Sequence, residues 1–82
     1  MAARLLTAII YRETDDGANP IYVAECPDVG TVSQGATIED ALANLQEATE
    51  LYLEATGQPA TRHIFVTTFE ATYAETTPRH GG

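Results

Sequence analysis

Pro27-Asp28-Val29-Gly30, followed by Gly35-Ala36-Thr37 and then Ile38-Glu39-Asp40-Ala41-Leu42 running on to Glu50-Leu51-Tyr52-Leu53-Glu54, is the stretch whose reading decides the fold. It joins a tight loop, a short strand and a strongly marked helix. Thr37 has the features of a helix N-cap, because its hydroxyl can accept from the backbone N–H of Asp40, three residues on. Glu39 and Asp40 then lie at the positive end of the helix dipole, in the manner of a capping box with Asp in place of Glu. The helix is predicted over 38–56. Gly57 supplies a left-handed stop and Pro59 prevents resumption.

At about 100° per residue, Ile38, Ala41, Leu42, Leu45, Ala48, Thr49, Tyr52 and Leu53 form one stripe, and Glu39, Asp40, Glu47, Glu50 and Glu54 lie opposite. Leu51 breaks this pattern. It projects about 220° from Ile38 and is expected to be exposed in a monomer.

Outward from this centre the pattern changes to period two. Residues 4–13 alternate loosely, with Leu5, Thr7, Ile9 and Tyr11 on one side and Leu6, Ala8, Ile10 and Arg12 on the other. Apolar groups on both sides predict a central or doubly covered strand. The run 14–20 concentrates turn formers around Asp16-Gly17 and predicts a hairpin loop. A second strand follows over 21–26, ended by Pro27, and a short third over 31–34. Three strands linked this tightly predict an antiparallel meander. After the helix, 62–73 alternates Phe65, Thr67, Phe69, Ala71 and Tyr73 against Ile64, Val66, Thr68 and Glu70, and predicts a fourth strand. Residues 74–82 carry no apolar pattern and are expected to form a disordered tail. The fold class is therefore α+β: a two-layer β-β-β-α-β domain over 1–73, with the helix covering one face of the sheet.

The chain has 82 residues and 44% hydrophobic content, which suits one small folded domain. Twelve acidic residues face four basic ones, all arginine, for a net charge of −8. Such a surface repels phosphate backbones, so direct nucleic-acid binding is not expected. A basic protein partner is compatible with it. The lone cysteine, Cys26, excludes an intrachain disulfide and a multi-cysteine metal site. The N-terminal apolar stretch is too short and interrupted for a signal peptide or membrane span, and the expected location is the cytoplasm.

Little in the chain suits covalent chemistry. His63 and His80 form no metal-ligand spacing, and there is no phosphate loop or dinucleotide fingerprint. Cys26, at a strand end, reads as a packing residue rather than a nucleophile. Glu25 and Asp28 flank Pro27, and with Glu39 and Asp40 they raise the idea of an acidic metal cluster at one end of the sheet. Helix-start and turn roles account for three of these residues without a metal. No catalytic, cofactor or metal residue is assigned. The candidate partner-binding residues are Glu47, Glu50, Leu51 and Glu54, an acidic stripe with one apolar residue beside it.

The run Val23-Ala24-Glu25-Cys26-Pro27-Asp28-Val29-Gly30, then Gly35-Ala36-Thr37, then Glu39-Asp40-Ala41-Leu42-Ala43-Asn44-Leu45-Gln46-Glu47-Ala48 resembles the HicB-like antitoxin family, formerly uncharacterised family 0150. That family's run is Pro-Asp-Leu-Pro-Gly-Cys, a short strand, Gly-Asp-Thr, and a helix of the type Glu-Glu-Ala-Leu-x-Asn-x-x-Glu-Ala. The match covers residues 21–56. The loop after Asp28 is one residue shorter than the family's, and Ala36 stands where aspartate is usual. The resemblance implies a partial ribonuclease-H-like fold, homo-oligomers, and a role in covering a small basic HicA-like ribonuclease toxin without chemistry of its own. Family members with a C-terminal DNA-binding domain bind operator DNA; the resemblance here covers only the N-terminal type of domain, and autonomous DNA binding by these residues is not expected. Two other readings stand beside this one: a stand-alone oligomeric regulator or small-ligand binder, and a residual metal-dependent nuclease using Asp28 and nearby carboxylates.

Overall fold

The computed structural model describes residues 3–57 and 62–75. Three strands, β1 (Ile9–Thr14), β2 (Pro20–Cys26) and β3 (Thr31–Gly35), form an antiparallel sheet in the order β1-β2-β3, followed by one helix, α1 (Ile38–Thr56). This is the expected α+β arrangement of a meander and a helix. The register aligns Ile10 with Ala24 and Ala24 with Ser33, so those side chains share one face. Ile9, Glu25 and Val32 share the other.

The first hairpin closes around Asp15. Its Oδ1 accepts from the backbone N–H groups of Gly17 and Asn19, each at 2.8 Å, and the main chain returns through Asp15 N–H to Asn19 O at 2.9 Å. These donors, the Asn19 backbone foremost and against the cost of burial, hold the Asp15 carboxyl below its ordinary range. The residue that takes the left-handed conformation is Ala18, with φ 64°, rather than Gly17.

Helix α1 begins as its sequence requires. Thr37 is extended (φ −134°, ψ 166°) and its Oγ1 accepts from Asp40 N–H at 3.0 Å. Gly57 closes the other end with φ 75°. The helix packs chiefly on β3 and β2 and barely touches β1. Close approach at the β3–α1 corner depends on Gly35, where an added Cβ would lie 2.6 Å from Ala41 N and 2.7 Å from Asp40 Cβ. Both contacts involve the start of the helix itself, which has little freedom to yield.

The core is small. Ala24 and Cys26 from β2 meet Ala41 and Leu45 from α1, with Leu6, Ile10, Tyr22 and Val29 packed around them. Thr49 is also buried, and its hydroxyl shares a 2.7 Å hydrogen bond with Thr31, joining the helix to β3 without an orphaned polar group. The predicted helix stripe is thus covered only along its centre, at Ala41, Leu45 and Thr49; Ile38, Leu42 and Tyr52 at its margins remain exposed.

Two expectations are corrected. Residues 9–14 form an edge strand, not a central or doubly covered one, because among the described residues β1 pairs only with β2. Its apolar alternation reports two faces able to be buried, of which the helix covers one in part. Residues 62–75 carry no strand. The N–H of Arg62 donates to Asp28 O at 3.0 Å, and Ile64 is half-buried. Beyond it the segment is exposed, with Phe65 at 90% and Phe69 at 89%. A sheet strand needs a partner ladder, and this segment forms none with the described residues. The expected stop at Pro59 and residues 76–82 of the expected tail lie outside the described residues.

Candidate functional site

Three places in the fold gather the residues that could act on another molecule: the Asp28 corner, the outer face of α1, and a groove between α1 and the N-terminal segment.

Asp28 sits in the turn between β2 and β3. Its Oδ1 accepts from the backbone N–H of Thr7 at 2.8 Å and from the Cys26 thiol at 3.5 Å. Partial burial works to raise the Asp28 carboxyl, but the backbone donors of Thr7 and of Asp28 itself, with the thiol, outweigh it and hold the carboxyl below its ordinary range. Asp28 O in turn receives Arg62 N–H. One residue therefore ties the segment before β1, the end of β2 and the segment after the helix. Cys26 is buried, and its thiol points to Asp28, a position for packing and not for nucleophilic attack. His63, next to Arg62, is exposed.

The carboxylates considered as a metal cluster are not brought together. Thr37 and Asp40 lie at the Gly35 end of β3, which pairs with Tyr22, whereas Asp28 lies at the opposite end of the sheet, beyond the Cys26–Thr31 pair. Glu25 turns to the far sheet face, where its Oε2 accepts from the Tyr11 hydroxyl at 2.8 Å. That bond, with burial and the nearby charges of Glu25 and Glu13, raises the Tyr11 phenol above its ordinary value. Among the described residues no group of three or more His, Cys, Asp or Glu is placed to hold a metal ion.

Glu47, Glu50, Leu51 and Glu54 all lie exposed on α1, with Leu51 at 60%. At helical spacing they occupy one contiguous outward sector. Helix α1 carries no Lys or Arg anywhere along its length, and its last turn has no basic residue to complement the dipole. Gln46 Nε2 donates to Glu50 Oε2 at 3.4 Å, a neutral partner that leaves the charge in place. On the β3 side, Asn44 Nδ2 donates to Gln34 O at 2.8 Å, covering an edge carbonyl.

The groove has a volume of about 680 Å³ and runs between residues 3–8 and α1. Leu6, Ala8, Cys26, Leu42, Leu45 and Leu53 give it an apolar wall, and Glu50 and Glu54 stand at its lip. Sequence reasoning placed Leu42 and Leu53 in the buried stripe and so missed this opening. The signal was the narrowness of the core contributed by Ala24, Cys26 and Ala41, which cannot cover a stripe that wide.

An acidic α+β domain with an unfilled apolar flank is the class of protein defined by this geometry. Its sequence is similar to the UPF0150 protein ssr1765 of Synechocystis sp. (strain ATCC 27184 / PCC 6803 / Kazusa), 44% identical over 50 residues, which is 60% of this chain and 58% of that protein. The chain thus spans somewhat over half the length of the curated relative it matches. No family model matches the chain, and no solved structure matches it. No helix among the described residues is long and apolar enough to cross a membrane.

Proposed function

We propose that this chain is a HicB-like, non-enzymatic binding module of antitoxin type, which neutralises a small basic HicA-like ribonuclease by covering its RNA-binding surface. The observation that supports this reading is the outer face of α1. Glu47, Glu50 and Glu54 surround the exposed Leu51 on a helix that has no basic residue. A surface that attracts RNA is basic, and an acidic stripe with a central apolar anchor complements it. Exposed acids near a helix C-terminus are unfavourable to the helix itself, and a cationic partner would relieve that repulsion. The similarity to a UPF0150 protein agrees with the motif resemblance along residues 21–56.

The test is capture of a small basic ribonuclease of this class by the wild-type chain and by a Glu47→Lys/Glu50→Lys/Glu54→Lys variant. Capture should fall at least tenfold in the variant, and weaken in the wild type as salt rises. Capture unchanged by charge reversal would remove the docking role of this face. The stand-alone regulator is the second reading, favoured by the exposed apolar segment 62–75, and it predicts no ribonuclease capture by either chain. The nuclease reading would require Asp28 to carry chemistry while its Oδ1 already serves Thr7 and Cys26. Nuclease activity with magnesium or manganese that is lost in Asp28→Asn would replace the proposal.

A further inference from the structure

We infer that the groove between α1 and residues 3–8 is a ligand site for a single-chain cationic amphiphile, its hydrocarbon tail seated along the leucine wall and its ammonium head at Glu50 and Glu54. The groove's volume of about 680 Å³ falls inside the roughly 300–1,000 Å³ of small-molecule sites. Its helix side is built from two neighbouring rows at i, i+4 spacing. Leu45, Thr49 and Leu53 form the inner row, and Leu42, Gln46, Glu50 and Glu54 form the rim. Leu6 lines the opposite side, on the N-terminal segment. From Leu42 to Leu53 the wall runs about 16 Å at 1.5 Å per residue, a length suited to an extended chain.

The interior selects hydrocarbon. Thr49 is buried and its hydroxyl is engaged with Thr31 at 2.7 Å. The buried Cys26 thiol donates to Asp28, and the Gln46 amide donates to Glu50. A tail without polar groups leaves nothing unpaired against these side chains. A polypeptide would bring a donor and an acceptor with nearly every residue to side chains that are already engaged.

The rim selects a cation. The charged residues that line the groove are Arg4, Glu50 and Glu54, one guanidinium against two carboxylates. The net charge of −8 on the whole chain acts in the same direction. Both carboxylates lie on the C-terminal half of α1, whose last turn has no basic residue. The negative end of the helix dipole therefore adds to their attraction for an ammonium group. With the head held there, the tail points toward Leu42. Glu50 and Glu54 also belong to the docking face proposed above, but the ligand site stands without that partner.

Isothermal titration of the full chain with decylammonium, below its micelle concentration, should show one site per chain. Across octyl-, decyl- and dodecylammonium the dissociation constant should tighten by about two- to fourfold for each added methylene, the fold-change of hydrocarbon burial. Decanoate, with opposite charge, should bind at least about tenfold more weakly than decylammonium. In Glu50→Gln/Glu54→Gln that ratio should fall to about one or below, since Arg4 is then the charge left on the lining. Leu42→Trp, which fills the groove from its exposed rim, should abolish binding while the helical circular dichroism of α1 persists. In the wild type the methyl resonances of Leu6 and Leu53 should shift with the probe. Absence of saturable binding would show the groove covered in solution, by residues 64–73 or another copy, and overturn the proposal. Equal affinity for ammonium and carboxylate, many probes per chain, or binding untouched by Leu42→Trp would overturn it as well. The titration contains no ribonuclease, so its failure leaves the partner reading to its own test.

Discussion

Asp28 is a carboxylate with structural partners at its Oδ1 and at its carbonyl oxygen. Oδ1 accepts from Thr7 N–H and the Cys26 thiol, and its carbonyl accepts from Arg62 N–H. A hydrogen bond to a charged acceptor contributes about 1.5–3 kcal/mol where it is sheltered, and the lower end applies to this half-exposed side chain. Asp28→Asn should therefore destabilise the fold by about 1 kcal/mol at neutral pH, since the amide keeps one acceptor but loses the charge. The pH dependence follows from the lowered carboxyl. A group whose folded pKa is depressed stabilises the fold above its unfolded value and loses that contribution as pH falls through the folded one. The gap in urea midpoint between wild type and Asp28→Asn should thus be full at neutral pH and narrow below pH 3.8. A gap that persists unchanged in acid would mean that the charge plays no part. Two small residues give opposite expectations. Gly35→Ala forces a Cβ to 2.6 Å from Ala41 N, and should cost at least the 1–3 kcal/mol of an overpacked site. Ala18 stands at φ 64°, where an L-residue is strained by about 1–2 kcal/mol, so Ala18→Gly should raise the thermal midpoint. Both are read by paired thermal melts.

At the scale of elements, α1 was the most legible part of the chain and the pairing of its neighbours the least. The helix start rests on one local bond, Thr37 Oγ1 to Asp40 N–H at 3.0 Å, and Thr37→Ala should lower stability by about 1 kcal/mol, measured by denaturant unfolding, with Thr37→Ser nearly neutral. Its stop rests on Gly57, also local. Such features depend on residues three or four apart, so spacing alone exposes them. Coverage of a face does not. The alternation of Leu6, Ala8 and Ile10 against Ile9 and Tyr11 shows that both sides of β1 are apolar, yet only the sheet order reveals that β1 is an edge. The same holds for 62–73, whose residues have strand character and yet pair with no strand among the described residues, because pairing is a non-local property that periodicity does not encode. In the candidate site, Leu51 was legible because its angle on the helix is a local property. The groove was not, because it arises from the lateral offset of α1 toward β3.

Across the whole molecule, the offset of α1 and the exposure of 64–73 are two sides of one deficit in burial. The core hydrophobics are Val23, Ala24, Cys26, Ala41 and Leu45, and no large side chain among the described residues is fully buried. A domain of this size has little margin, since conformational entropy nearly cancels what burial contributes. Meanwhile Phe65, Val66, Phe69 and Tyr73 stand in solvent, and each large apolar side chain is worth about 1.5–3 kcal/mol when buried. Association that covered them would add to the fold a contribution comparable with its entire remaining stability. Folding and association would then be one equilibrium, and the thermal midpoint would depend on chain concentration. The expected outcome is a midpoint that rises steadily over a hundredfold range of wild-type concentration. In Phe69→Asp the midpoint should be lower and independent of concentration, because the remaining fold is unimolecular. Glu47→Lys, outside the groove, should keep the wild-type slope. A wild-type midpoint that does not move with concentration would show that the small core, with its own chain's segment, is sufficient by itself.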